Sequence, residues 1–435
     1  MYSRRRAGGT ARLDEAAGQR AHRPDYQIIL WIGLLMLFGL IIMYAIGPQR
    51  ANVMNRVHGT DFYTDTYFAV KQVSSLGAAI FAFFAMSKLP FALWKKYASK
   101  VLLLGFVLCT GLFLFGNLLK IDAIAIKTLG AYRWFNLGPL GTFQPAEVLK
   151  FGILIYFATF LGIRAKQGLL NNMEKTIIPL LIIGGLALAM VVLIQKDLGT
   201  GISMGGVMAG ILMVSGIDKK IGFKIMAAVV ALGVIAIVAT PHRMERLTTF
   251  LQGDDHMTAA ADDGSYHIRN AMIALGTGGL FGRGIGNSIQ ATGYLPEAIN
   301  DSVFAIIGET FGLVGACIVL GIFTMLLMRL LRVADHLPDM TMRLIVAGVF
   351  GWLFAHVALN VASMIGVIPL TGITLPLLSF GGSSMLFITG AMGLAFQLSR
   401  YTYHQPVSIT QEADRENSSG RRGIRRSRIA SRRGI

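Results

Sequence analysis

The sequence predicts an all-α, polytopic integral membrane protein of about ten transmembrane helices, with both termini on the cytoplasmic side. Three observations carry that prediction. Only 14% of the 435 residues are charged and 54% are hydrophobic, whereas a soluble domain averages about 25% charged residues. The apolar residues fall into ten runs, most of them close to the roughly 20 residues a spanning helix needs. The basic residues lie in the tails and in alternate short connections, the pattern that sets membrane orientation.

The runs are 28–46, 66–87, 101–119, 143–163, 176–195, 221–240, 303–331, 344–370 and 374–399, with a weaker Gly/Ser/Met-rich run at 200–218. The first run starts near Gln27 and is long enough to span, so no cleavable signal peptide is expected. With the N-terminus inside, 28 of the 40 Lys and Arg lie in inner segments and 10 in outer ones. That asymmetry fixes the expected orientation. The net charge of +17 is therefore read as membrane topology, and no nucleic-acid partner is expected. Cys109 and Cys317 lie inside apolar runs and are read as small core residues.

Residues 1–26 and 401–435 are expected to be disordered basic cytoplasmic tails, the RRGIRRSR stretch serving as an anchor beside anionic membrane lipid. Residues 27–400 form the membrane domain. Its one long connection, 241–302, is expected to be a large extracytoplasmic loop. From Tyr266 onward this loop has apolar spacing, as expected of short helices on or dipping into the membrane.

An ionisable residue within a span costs several kcal/mol and is a functional candidate by default. Glu147 and Lys150 lie one to two turns into the fourth span, three residues apart and so on one face; a packing ion pair is the alternative. Arg133 and Trp134 lie just outside it. Asp197, in the turn IQKDLGTG, is either functional or a helix cap. Lys71 lies two turns into the second span, where snorkelling would also explain it. Asp301 and Glu309 open the eighth span. Asp301, at the end of the long loop, is the better general-base candidate.

The glycines at 276, 278, 279, 282, 284 and 286 lack the Gly-Lys-Ser/Thr ending of a phosphate loop. They are read as tight turns or close backbone approach. LPLLSFGGSS at 375–384 suggests a breakable helix start, with Ser379, Ser383 and Ser384 free to hydrogen-bond. Neither a nucleophile elbow nor a zinc-binding helix motif occurs.

Four segments, YRWFNLGPLGTFQPAEVLKF (132–151), IQKDLGTG (194–201), GRGIGNSIQATGYLPEAINDSVFAIIGE (282–309) and GVIPLTGITLPLLSFGGSS (366–384), together resemble the SEDS family (shape, elongation, division and sporulation). These are polytopic peptidoglycan polymerases. The similarity covers nearly all of residues 27–400, and the YLPEA wording with Ser288 and Gln290 favours the FtsW-like over the RodA-like branch. The resemblance implies a catalytic aspartate at Asp301. It carries over to Arg133, Trp134, Glu147, Lys150, Asp197, Thr200, Ser379, Gly382 and Ser383 as substrate contacts, and Lys71, Arg243, Arg246 and Glu297 are further candidate contacts.

There are departures from the family pattern. Lys196 stands where Pro is usual, Ala146 where Ser is, Ala291 where Lys is, and Thr310 where an acid is. Residues 299–302 read Ile-Asn-Asp-Ser in place of His-Thr-Asp-Phe.

What the resemblance implies is inverting glycosyl transfer. Lipid II would be polymerised on the outer face of the cytoplasmic (inner) membrane, with undecaprenyl pyrophosphate as leaving group and septal wall synthesis in division as the setting. No cofactor is required, though a divalent cation (Mg or Mn) held by carboxylates is a candidate. The implied partners are a class B penicillin-binding protein, which cross-links the glycan, and other division proteins. Two rival readings are a lipid II flippase and a non-enzymatic division scaffold. A transporter wants polar groups near the midplane, and the candidates here gather near one face.

Overall fold

The computed structural model describes residues 23–128, 131–138, 141–238 and 263–402, with residues 240, 244, 247 and 248 between. Arg243 and Arg246, the acidic stretch at 254–262 and both basic tails lie outside the described residues.

All ten apolar runs are helical over most of their length. In chain order they are α1 (Tyr26–His58), α2 (Tyr67–Lys88), α3 (Phe91–Phe113), α4 (Pro145–Lys166), α5 (Ile178–Ala189), α6 (Leu198–Val214) and α7 (Lys219–Val238). An additional helix, α8 (Asp263–Gly278), follows, then α9 (Val303–Asp335), α10 (Met340–Met364) and α11 (Ser383–Leu398). Short π-helical turns extend α3 to Leu118 and flank α5 from Met173 to Ile194. With those turns included, seven of the described helices are long and apolar enough to cross a membrane, and α6 is a shorter apolar helix. The chain is a multi-pass membrane protein. A small antiparallel sheet, β1 (Ala125–Thr128), β2 (Ala131–Asn136) and β3 (Thr142–Phe143), joins α3 to α4.

The first and last described helices meet at one end of the bundle. The Asp25 amide donates to Ser399 Oγ at 2.9 Å, and the Arg329 guanidinium pairs with the Asp25 carboxylate. Asp339 caps α10 there and takes Lys95 at 3.2 Å and Lys166 at 3.4 Å. An even number of crossings requires both ends on one side, as the charge pattern predicts. The sheet, α8 and the loop 279–302 lie at the opposite end.

Of the seven long spans, α4 and α10 are the most enclosed. Packing against α10 needs small residues on α6. A Cβ on Gly210 would come within 2.2 Å of the Ala347 carbonyl oxygen, and one on Gly351 within 2.2 Å of the Gly206 carbonyl oxygen. In hydrocarbon, such close approach is what dispersion rewards.

Two spans depart from the simple pattern. The tenth run, expected from 374, is helical only from Ser383. Residues 365–382 instead form an irregular strap, broken by Pro369, Pro376 and the positive φ of Leu377 (69°). The α9 helix is interrupted at Gly312 (φ 69°, ψ −167°). The glycine-rich loop repairs the break. Arg283 and Gly284 amides donate to the Glu309 and Thr310 carbonyls (2.9 and 3.0 Å), while Leu313 and Val314 amides donate to the Gly279 and Leu280 carbonyls (2.9 and 3.1 Å). Backbone freed at membrane depth must find partners within the protein, and this loop supplies them. The glycine run serves both expected purposes: close backbone approach at Gly278 and Gly282, and positive-φ turns at Gly279, Gly282, Gly284 and Gly286.

Candidate active site

Three polar groups gather around the irregular strap. The first is built on Asp301, in the turn before α9. It is 7% exposed. Its backbone is pinned on both sides: Asn360 on α10 donates Nδ2 to the Asp301 carbonyl (2.6 Å) and to the Ile373 carbonyl of the strap (2.7 Å). Ser379 Oγ donates to the Asn300 carbonyl at 2.6 Å and accepts from the Leu375 amide at 2.8 Å. The Phe380 amide donates to the Ile299 carbonyl at 2.8 Å. Glu297, strained at φ 48°, accepts from Asn300 Nδ2 at 2.5 Å. His267 of α8 completes the group, its Nε2 lying 4.0 Å from Asp301 Oδ1 and bonded to Ser302 Oγ.

Burial pushes the Asp301 carboxyl up from its ordinary 3.8 to about 7, and the nearby Glu297 charge adds to the rise. Removing a carboxylate from water favours its protonated form, and a like charge does the same. A carboxyl that titrates near neutral pH is suited to accept a proton at working pH.

The second group is organised by Gln144, just before α4. Its side chain does not cap α4. It reaches instead to Asp197 Oδ2 (2.9 Å) and Thr200 Oγ1 (3.3 Å). Asp197 caps α6, accepting from the Thr200 amide (3.0 Å) and the Thr200 hydroxyl (2.8 Å). The Gln144 amide donates to Ser383 Oγ at 3.3 Å. Arg133 on β2 clamps the same turn, donating Nη2 to the Lys196 carbonyl (2.7 Å) and Nε to the Gln195 carbonyl (3.4 Å). Trp134 follows on β2, half-buried and paired in register with Ile126. Gly382 is the extended residue that opens α11.

The third group lies inside the bundle. Lys150 Nζ pairs with Glu147 Oε1 at 2.9 Å, and neither side chain is more than 2% exposed. The ammonium sits 4.6 Å from the Trp352 ring centroid. Trp352 Nε1 donates to His356 Nε2 (3.2 Å), and His356 Nδ1 is 3.3 Å from the Thr374 carbonyl of the strap. Trp352 and His356 extend this ion pair, and Arg133 and Trp134 lie apart from it on β2. In this conformation Lys150 faces no solvent, so it bears on the strap through Trp352 and His356.

Lys71 sits at the rim, exposed on α2, with its Nζ 5.7 Å from the Tyr67 ring centroid and 5.8 Å from that of Phe380. Buried Gln72 beside it accepts from the Gly381 amide at 2.9 Å.

Glu309 has a different role from the one its sequence position suggests. It is fully buried and accepts from Ser288 Oγ (2.5 Å) and from the Ile289 (2.9 Å) and Gln290 (3.3 Å) amides. It ties the glycine-rich loop to the short first half of α9.

The sequence reading passed over Gln144, His267, Trp352, His356 and Asn360. A signal existed for three of these. Trp352, His356 and Asn360 recur every four residues within an apolar span, which puts them on one helix face, and an intramembrane histidine is a candidate by the same rule applied to the charges. For Gln144 and His267 the sequence carries no comparable mark. Among the described residues no three His, Cys, Asp or Glu side chains converge as a metal site, and no step is routed through a cation.

A broken helix presenting a buried carboxyl beside a polar strap, on a ten-span scaffold, defines a membrane protein with a chemically poised site at one end. The comparisons identify its kin. Residues 26–404 match the FtsW/RodA/SpoVE family, described as cell cycle proteins. The chain belongs to that family. It is 29% identical to stage V sporulation protein E of Bacillus subtilis over 87% of this chain and 98% of the relative. It is 30% identical to the probable peptidoglycan glycosyltransferase FtsW of Coxiella burnetii over 87% of this chain and 96% of that one.

Among solved structures, a chain reported under "Structural coordination of polymerization and crosslinking by a peptidoglycan synthase complex" superposes with a TM-score of 0.67 at 23% identity. The match covers 88% of this chain and 99% of that one. The rod shape determining protein RodA of Thermus thermophilus gives 0.59 at 22%, with 88% and 98% covered. At those identities the likeness is one of fold.

Proposed function

We propose that this chain is a peptidoglycan glycosyltransferase that polymerises lipid II at the extracytoplasmic face of the cytoplasmic membrane, in the FtsW-like setting of septal wall synthesis. The observation that carries the reading is Asp301: a buried carboxyl raised to about 7, rigidly held at the mouth of the broken α9. The names of the relatives support the activity. The Lys and Arg asymmetry supports the extracytoplasmic assignment of this end.

In the reaction, Asp301 takes the proton from the acceptor sugar's 4-hydroxyl. The oxygen attacks the anomeric carbon of the growing donor chain, its C–O bond to pyrophosphate breaks, and undecaprenyl pyrophosphate leaves with inversion. Positioned general-base assistance of this kind contributes about 10²–10⁴-fold. The departing pyrophosphate needs positive charge. Lys71, beside Phe380 of the strap, and Arg133, bonded to the Asp197 turn, are candidate cations at this end, and Arg243 and Arg246 of the long loop are further candidates. Asp197, Thr200, Ser379, Gly382 and Ser383 shape the floor, and Glu297 tunes the base. Glu147 and Lys150 hold the strap from beneath.

A class B penicillin-binding protein is the proposed partner. The peptidoglycan synthase complex of the structural neighbour, which couples polymerisation with crosslinking, supports it. The broken helix would also suit a lipid II flippase, because interrupted spans line transport sites.

One experiment separates the readings. Purified protein, with and without a class B partner, is given labelled lipid II in vesicles. Glycan ladders that vanish with Asp301→Asn support the enzyme, at a loss of at least about 100-fold. Full polymer yield from the variant removes Asp301 as the base. Movement of lipid II across the vesicle without polymer assigns the flippase.

A further inference from the structure

The Asp301 group contains one element that the proposed reaction has not used, the imidazole of His267. It is 4% exposed, and it reaches Asp301 from α8, an element that is not one of the ten spans. Its hydrogen bonding is determined by proton counting. Ser302 Oγ has a single proton and lies 2.9 Å from the Pro296 carbonyl, which can only accept. The hydroxyl gives its proton to the Pro296 carbonyl or, at 3.5 Å, to Asp301 Oδ1. With the proton used there, His267 Nε2, bonded to the same Oγ, is assigned as the N–H donor. An N–H at Nε2 also faces Asp301 Oδ1, 4.0 Å away. Ser302 Oγ itself is 3.5 Å from that oxygen.

Asp301 lies within ion-pairing distance of His267. Glu297, on the same turn, is exposed and acts mainly on Asp301. On α8, Asp263 lies one turn earlier and Arg269 two residues later, exposed. From α10 the polar neighbour of the Asp301 turn is Asn360, which is neutral. Ile299, buried two residues before Asp301, leaves the turn itself without an imidazole.

We propose that His267 is a positioning residue for Asp301: held by Ser302, its Nε2–H edge stabilises the ionised carboxylate that accepts the proton from the attacking hydroxyl. The inference rests on the reading of Asp301 as the base. The imidazole offsets part of the burial that otherwise protonates this carboxyl, and an opposite charge at about 4 Å favours the charged form. Docking of α8 onto α9 is then a condition for an active base, so the long loop completes the site.

The test uses the full chain with its partner and lipid II. His267→Gln keeps a hydrogen-bond donor for Ser302 but cannot become a cation. Its acidic limb in the pH–rate profile should move up by about one pH unit. Activity then falls about tenfold near pH 6 and less than about twofold near pH 8.5. Ser302→Ala should move the limb in the same direction by less. The second arm needs no activity. The His267 ring is titrated by NMR in the parent and in Asp301→Asn, with His267→Gln identifying its signal or, should that variant not fold, selective labelling. Its pKa should drop by about one unit when the carboxylate is lost.

Superimposable pH profiles for the parent and His267→Gln, or a His267 titration unmoved by Asp301→Asn, overturn the proposal. Failure of the underlying reading looks different: Asp301→Asn would then polymerise normally, while the ring titration would still report the pair.

Discussion

Asp301 combines two properties that usually oppose each other, burial and ionisation. Its carboxyl titrates near 7 in the fold and at its ordinary 3.8 in an open chain. Between those values the folded state binds the extra proton. Asp301 therefore lowers stability progressively as pH rises from about 4 to about 7, with no further loss above. Asp301→Asn should match the parent in thermal unfolding near pH 4 and exceed it at pH 8. A parent that gains stability relative to the variant as pH rises would contradict the assigned environment. For Asp301 as the proposed base the same titration has the opposite value, since a base works only when ionised, and polymerisation should increase with pH through about 7.

The Glu147–Lys150 pair obeys a different residue-scale rule. Removing one partner of a buried pair strands a charge, at a cost of about 3–5 kcal/mol, while replacing both with neutral groups is close to neutral. Glu147→Gln should therefore unfold well below the parent, and Glu147→Gln with Lys150→Met should recover most of the loss. If the pair supports the strap through Trp352 and His356, the stable double variant should still polymerise more slowly. Parental activity in it would reduce the pair to packing.

Among the elements, α9 matters most. Its break at Gly312 exchanges four backbone hydrogen bonds with the glycine-rich loop, and Glu309 fastens the same loop by its carboxylate. A Cβ on Gly312 would stand 2.4 Å from both the Gly282 nitrogen and the Leu280 carbonyl oxygen, at a φ that disfavours side chains. Gly312→Ala should cost about 3 kcal/mol or more through strain and collision. Gly276 on α8 has nothing within 4 Å of its virtual Cβ, so Gly276→Ala should be neutral or slightly stabilising. Similar melting shifts for both would mean that the break is not a fixed element. The run of glycines is readable as turns or close approach, and at Gly278 and Gly282 a Cβ would collide with the α9 backbone. Its partner was not readable, because Gly312 lies inside an apolar run that reads as one uninterrupted span.

At the scale of the molecule, the start of α1, the end of α11 and α9 meet through Asp25, Ser399 and Arg329 at the end of the bundle opposite the strap. With Cys109 and Cys317 replaced, Tyr294→Cys should react in intact cells with a membrane-impermeant maleimide. Gln167→Cys should react only after permeabilisation. The reverse pattern would place the Asp301 group in the cytoplasm and end the proposed function.

Composition and periodicity determined the spans, their even number and the shared side of the two ends, because hydrocarbon forces every spanning segment to declare itself as a long apolar run. The same rule exposed Glu147, Lys150 and Asp301, since charge is expensive there. Only the tertiary structure decided what those charges touch. Gln144 meets Asp197 from 53 residues away, and His267 meets Ser302 from 35. Asn360 joins the Asp301 turn to the strap across separate spans. Such partners depend on how helices pack. Packing is set by dispersion and small residues spread over many turns, and no local pattern encodes it.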